Sequence, residues 1–304
     1  MSRFQHIKPT SRKGGLLSGY TGDPSGIWSL RQRYELLTFP LLDYHPGATA
    51  AYSLRSLSSS YTGPVVTVRR SSDDAEADFT ASEVAGGALE TWVGAGNDGF
   101  VTTWYDQSGN NGRNASQSTD AEQPQICSNG SLILSSGKPA IQFATSNAIL
   151  TPIRLQTAAF TVSQPVTYFS AYDHTATDDR QMLFDGRSGG NILFFGDTTT
   201  GYYMVNAGSQ LISSTALTTG PALVSVLFNG SSSVVRRNSL QVASGNAGGN
   251  AVDGLTIGNI RGFPSAVANN YSWVGRIQEL IVYPADMSSQ QEDIETEISQ
   301  AYGI

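Results

Sequence analysis

The sequence predicts an all-β sandwich, preceded by an extended N-terminal arm and closed by one short C-terminal helix. Three observations carry that prediction. Gly supplies 32 of the 304 residues, beside many Ser, Thr and Asn, the residues of turns and exposed strands. Charged residues make up only 14%, well below what the solvent faces of a helical bundle require. From about residue 49 onward, short apolar runs are separated by Gly, Asn and Pro with no intervening helical period.

The strand candidates fall at 65–69, 100–105, 132–134, 140–143, 166–173, 181–185, 191–195, 202–206, 222–228, 233–237, 255–258 and 273–283. Asn229-Gly230 between two of these runs reads as a type I′ hairpin turn. No strand–helix alternation is present, which argues against a parallel α/β fold. At the C-terminus, Ser288 and Gln291 form a capping-box pattern, with Glu292 and Asp293 in the first turn. Ile294, Ile298 and Ala301 or Tyr302 share one face, and Gly303 supplies the stop.

Residues 1–48 read differently. Gly14, Gly15, Gly19, Gly22, Pro24 and Gly26 are mixed with Leu16, Leu17, Tyr20, Ile27, Trp28, Leu30 and Tyr34 at no steady period. Such a segment makes no domain alone, yet leaving those side chains in water is costly. It is expected to be a docking arm that packs on a partner or on the main domain, residues 49–304. Arg3, Lys8, Arg12, Lys13, Arg31 and Arg33 make that end locally positive.

The whole chain carries a net charge of −7 and has no Lys/Arg block, which argues against a nucleic-acid partner. No run approaches the roughly 18 apolar residues of a membrane helix, and the first residues lack the apolar core of a secretory signal. Cys127 is the one cysteine, so no intrachain disulfide forms. A polar, export-like composition without a signal or disulfides points to a particle subunit assembled in the cytoplasm and released by lysis.

Two stretches carry a resemblance. The first holds Ala51-Tyr52-Ser53-Leu54-Arg55, Tyr61-Thr62-Gly63-Pro64, Val68-Arg69-Arg70, Ser71-Ser72-Asp73 and Thr103-Trp104-Tyr105-Asp106-Gln107-Ser108-Gly109-Asn110, then Gln123-Pro124. It resembles the catalytic domain of the arabinofuranosidase B family, a concanavalin-like jelly-roll sandwich. The second, Trp273-Val274-Gly275-Arg276-Ile277-Gln278-Glu279 with Tyr283 and the terminal Ala301-Tyr302-Gly303-Ile304, is similar to the closing strand and helix of laminin-G and concanavalin-like domains. On its own chemistry, Asp106 ends a strand in a turn where it can accept backbone N–H groups, with Gly109 free to take φ > 0. Turn-holding, a metal ligand and a glycan contact all remain open for Asp106. Arg69 and Arg70 are expected to pair with Asp73, Asp74 or Asp106.

The resemblance implies a retaining glycosidase, which needs two carboxyl groups about 5–5.5 Å apart. The family's nucleophile follows a Phe-Gly-Asp, here Phe195-Gly196-Asp197, but no Asp or Glu occurs between Asp197 and Asp253. Ungapped placement puts the nucleophile position on Gly208. The acid/base position falls in Thr256-Ile257-Gly258-Asn259-Ile260-Arg261-Gly262, also without a carboxylate, and the family's paired cysteines are missing. No catalytic residue is therefore expected.

Other chemistry has less support. His6, His45 and His174 show no zinc spacing, and Cys127 has no nearby His. The Gly-rich stretch 245–249 lacks a strand–loop–helix setting. Asp173, Asp178, Asp179 and Asp185 could hold Ca²⁺ or simply form a solvated loop. Tyr172, Tyr202, Tyr203, Phe263 and Tyr271, read as loop aromatics, could stack on sugars, with ordinary packing as the competing reading.

The expectation is accordingly a non-enzymatic bacteriophage virion protein, a tail, fibre or decoration subunit forming a homo-oligomer. Ser25-Gly26-Ile27-Trp28-Ser29-Leu30 resembles short N-terminal stretches of phage structural proteins. Its arm would dock on other virion subunits and its sandwich would meet host-surface polysaccharide. An active arabinofuranosidase-like hydrolase is the alternative.

Overall fold

The computed structural model describes residues 40–144, 151–176, 181–188, 192–195, 201–260 and 271–304. The expected docking residues Leu16, Leu17, Tyr20, Ile27, Trp28, Leu30 and Tyr34 lie outside the described residues, as do Phe263, Asp178, Asp179 and the Gly196-Asp197 pair.

The predicted sandwich is present. Its strands of four residues or more are β1 (Ala50–Ser53), β2 (Val66–Arg70), β3 (Glu76–Phe79), β4 (Gly99–Trp104), β5 (Gln125–Ser128), β6 (Ile141–Ala144) and β7 (Val166–His174). They continue with β8 (Gln181–Asp185), β9 (Ile192–Phe195), β10 (Tyr202–Asn206), β11 (Gln210–Ala216), β12 (Gly220–Phe228), β13 (Ser233–Arg237), β14 (Leu240–Gly245) and β15 (Gly275–Tyr283). One layer runs from β1 and β6, side by side on β15, through β7, β12 and β13 to β14, all antiparallel. The other runs β11–β10–β9–β8, then through the short strands Thr256–Ile257, Leu155–Gln156 and Ala115–Ser116 to β4, β2 and β3.

Period-2 patterning explains which face each strand buries. On β7, Val166, Tyr168 and Tyr172 enter the core between the layers, whereas Phe169 and Ala171 enter a second core on the opposite face. On β15 the register shifts between the partners of Ala171 and Tyr172, so Ile277 joins Leu280 and Val282 in the inter-layer core. Glu279, Ile281 and Tyr283 alternate to the other side. Gly275 opens that strand at φ +155, and a Cβ there would lie 2.1 Å from the Asp173 carbonyl oxygen. Only glycine fits where the two backbones approach so closely.

Among the described residues two helices cover the second core. The helix α1 (Leu41–Tyr44) contributes Leu41 and Leu42, so residues just before position 49 pack on the sandwich. The two helices α2 (Ala81–Ala85) and α3 (Ala88–Val93) sit elsewhere, against the inter-layer core through Val84, Leu89 and Val93. The C-terminal helix α4 (Gln291–Tyr302) buries Ile294, Ile298 and Tyr302 against Phe169, Leu223 and Tyr283. Full burial of such side chains stabilises by about 1.5–3 kcal/mol each. Gly303 ends α4 at φ +68, as the sequence predicts.

Three local expectations are corrected. The N-cap of α4 is Gln290 without a side-chain cap, because the Ser288 hydroxyl donates instead to Asp286. Asn229-Gly230 is not a two-residue turn but leads into the 3₁₀ turn Gly230–Ser232. The tight hairpin is the next one, β13 to β14, where Asn238 and Ser239 take φ +48 and +64. Among the described residues no helix is long and apolar enough to cross a membrane.

Candidate active site

The motif around Asp106 is a structural lock. Asp106 Oδ1 accepts the Ala51 N–H at 2.8 Å and the Ser108 N–H at 2.9 Å, and Oδ2 accepts the Ser108 hydroxyl at 2.8 Å. Burial pushes its carboxyl up, against the pull of those bonds and of Arg113. Gln107 extends the lock: its amide donates to the carbonyls of Ser53 and Arg55 and its oxygen accepts the Leu57 N–H. Gly109 takes φ +85. Trp104 is fully buried with its ring 5.7 Å from that of Tyr52, while Tyr105 donates to Asp78. Arg69 pairs with Asp74 and Arg70 with Asp73, both at 2.7 Å, and neither pairs with Asp106. The two arginines also lie over aromatic rings, Arg69 over Phe100 and Arg70 over Trp92.

The aromatic residues expected in loops occupy other environments. Tyr172 and Tyr203 are strand residues of the core, 0% and 1% exposed, because their inward alternation sends both rings between the layers. Tyr202, their outward neighbour on β10, is 39% exposed. Tyr271 is half-buried against Met182 and Ile260. Asp173 is engaged by Arg276 at 2.8 Å and by the Ser135 hydroxyl. His174 stacks on Trp273 with centroids 4.8 Å apart, and burial lowers its pKa.

The positions that the sequence resemblance assigns to catalysis have plain structural settings. Gly208 sits at φ +107 after β10, facing the Asn250 side chain. Gly258 takes φ +79, and a Cβ there would lie 1.9 Å from the Phe143 ring. Asn259 is buried and donates to the Ser272 hydroxyl at 2.8 Å.

A polar cleft of about 350 Å³ opens where the short strands Ala115–Ser116 and Leu155–Gln156 meet. That volume lies in the range of small-ligand sites. The loop 117–123 builds one wall. Arg69 Nε donates to Gln123 Oε1 at 2.8 Å, Gln123 Nε2 donates to the Gln117 carbonyl, and Gln117 Oε1 accepts the Thr119 N–H. The 3₁₀ turn Asp120–Glu122 then presents Glu122. Glu122 Oε2 accepts Gln117 Nε2 at 2.9 Å and faces Arg154 Nη2 at 3.3 Å. Arg154 Nη1 is buried with no hydrogen-bond partner among the described residues.

Thr157 and Arg187 build the other wall. The Arg187 N–H and the Ser188 N–H both donate to Asp253 at 2.8 Å, and Arg187 Nη1 donates to the Thr157 carbonyl. Burial alone would raise the Asp253 carboxyl, but bonds from Ser188 and Arg187 outweigh it and hold the group low. Among the described residues Glu122 lines the cleft, Asp120 lies on the same turn and Asp253 sits behind Arg187. Sequence reading missed the cleft because its residues come from segments 30 to 70 positions apart, united only by strand pairing. No group of three potential metal ligands forms among the described residues.

Residues 44–159 match the family model of the alpha-L-arabinofuranosidase B catalytic domain. No curated protein matches the chain. Among solved structures, a GH54 α-L-arabinofuranosidase soaked with a cyclic sulfate inhibitor and an arabinofuranosidase complexed with arabinofuranosyl-α-1,2-xylobiose are similar in fold. Each superposes with a TM-score of 0.61 at 16% identity, covering 86% of this chain. The chain spans 64% of the length of each of those proteins. These findings overturn the expectation of a non-enzymatic virion subunit and favour the glycoside-hydrolase alternative. The expectation rested on composition, on the N-terminal stretch and on empty catalytic positions at 208 and 256–262; those positions lie beyond the matched stretch, so ungapped counting had nothing to anchor it there.

Proposed function

We propose that this chain is an arabinofuranosidase-like glycoside hydrolase that works in the cleft around Glu122. One observation carries the reading. Every described residue lining the cleft except Arg187 falls within residues 44–159, the stretch that matches the arabinofuranosidase B catalytic domain.

Hydrolysis of a glycoside needs a carboxyl group at the bond to be cut, and a second one as its partner. Glu122 reaches the cleft and is held in place by Gln117 and Arg154. A carboxylate fixed in this way can serve as a nucleophile or a general base. Asp120 and Asp253 are the candidates for the partner. Ser116, Ser118, Thr119 and Gln156 supply groups for sugar hydroxyls.

The test is release of chromophore from a nitrophenyl α-L-arabinofuranoside, with Glu122→Gln, Asp120→Asn and Asp253→Asn beside the wild type. Glu122→Gln is expected to lower turnover at least about a hundredfold while leaving the fold intact. Either of two results sinks the reading: no release by the wild type from any arabinofuranoside, or full activity in Glu122→Gln.

A further inference from the structure

The charge of the cleft is opposite to that of the chain. Among the described lining residues Arg154 and Arg187 face one acid, Glu122, which leaves these residues one net positive charge in a protein of net charge −7. Glu122 already pairs with Arg154. Arg187 has no ion pair among the described residues; its Nη1 is fixed on the Thr157 carbonyl and its backbone on Asp253. A guanidinium held in this way offers its remaining N–H edge to a planar anion at little entropic cost.

Among the described residues the lining holds no aromatic side chain on which a neutral sugar could stack. Hydroxyl and amide groups of Ser116, Ser118, Thr119 and Gln156 make up much of the rest. The space is also far larger than an inorganic anion. The buried Nη1 of Arg154 adds a donor without a partner in the same wall, and buried polar groups are normally satisfied.

We propose that the cleft recognises a sugar bearing a carboxylate, a hexuronate residue, with Arg187 gripping the carboxylate and Arg154 supporting it. This rests on the hydrolase reading for the use of the cleft, and it adds the substrate class: a glycan with an acidic residue beside the bond to be cut.

Binding can be measured apart from turnover. The full chain is titrated by NMR or calorimetry with methyl β-D-glucuronide, with methyl β-D-glucoside as the neutral counterpart and with sodium sulfate as the bare anion. The expected result is saturable glucuronide binding, at least tenfold tighter than either control. Arg187→Met, which keeps the apolar stem at an exposed position, should weaken it at least tenfold, and Arg154→Met should weaken it as well. The proposal is overturned by no saturable glucuronide binding, by equal binding in Arg187→Met, or by sulfate or glucoside binding as tightly. Glucuronide binding without release of any arabinofuranoside would sink the hydrolase reading alone. Arabinofuranoside release without glucuronide binding would sink this inference alone.

Discussion

Arg55 closes a two-pronged ion pair on Glu279, Nε to Oε2 at 2.8 Å and Nη2 to Oε1 at 3.0 Å, at the point where α4 meets the sandwich. Glu279 is fully buried on β15, and Tyr302 of α4 donates to the same carboxylate at 2.9 Å. Tyr302 also shares a hydrogen bond with the Ser53 hydroxyl, so β1, β15 and α4 meet on one buried anion. A second strap lies further along the helix, where Arg236 and Ser225 hold Glu295.

Removing the cation alone should therefore be costly. Arg55→Met leaves Glu279 buried with only hydroxyl donors, and stranding a buried charge costs about 3–5 kcal/mol. Arg55 is itself partly exposed, so a loss of about 2–4 kcal/mol is expected in urea unfolding. The double variant Arg55→Met with Glu279→Leu should recover part of that loss, because the uncompensated charge is gone. Equal stability of wild type and Arg55→Met would show the pair to be idle.

Glu297 makes the same helix pH-sensitive. Its carboxyl is pushed up to about 7, chiefly by burial and further by Glu279 and Asp43, against the pull of Arg55. The folded value lies above the unfolded one, so the folded state holds the proton more tightly. The stabilisation is complete below the ordinary glutamate range and declines as pH rises to about 7. One pKa unit is worth about 1.4 kcal/mol, so the decline attributable to Glu297 is about 2–3 kcal/mol. Other carboxylates titrate in the acidic part of this window, so the difference between wild type and Glu297→Gln is the quantity to follow. Denaturant unfolding at pH 5 and pH 8 should show the variant gaining on the wild type at the higher pH. A constant difference would refute the assignment.

How much of this was legible in the sequence follows from the range of each signal. Strand alternation and the apolar face of α4 are local, and Ile294, Ile298 and Gly303 stand where the pattern puts them. The Asp106 turn is local too, and its φ > 0 glycine was readable from Asp-Gln-Ser-Gly. The helix α2 was equally readable and went unread: Thr80 and Glu83 form a full capping box. By contrast, Arg55 reaches a partner 224 residues away, and Arg187 meets Thr157 across 30. Such pairings are fixed by strand order and carry no mark in the flanking sequence. Tyr172 and Tyr203 lie in the predicted strand runs 166–173 and 202–206 and were misread as loop aromatics for a related reason: the run alone does not show that their face turns into the core.

Asp106 separates structural from chemical roles most cleanly. Its Oδ1 accepts two backbone N–H groups and its Oδ2 one hydroxyl, none of which needs a negative charge. In Asp106→Asn the amide oxygen can keep both backbone bonds, and the new NH₂ can donate to the Ser108 oxygen. That change should cost about 1 kcal/mol or less and leave the proposed arabinofuranoside release within about twofold of wild type. Asp106→Ala removes the acceptor and leaves the Ala51 and Ser108 N–H groups unpaired, at about 1–3 kcal/mol for each buried group. It should lower the unfolding midpoint clearly. A metal ligand or a catalytic carboxylate would behave in the opposite order, with Asp106→Asn folded but inactive. Parallel unfolding curves and arabinofuranoside assays on the two variants distinguish these outcomes, and the geometry of the turn predicts the first.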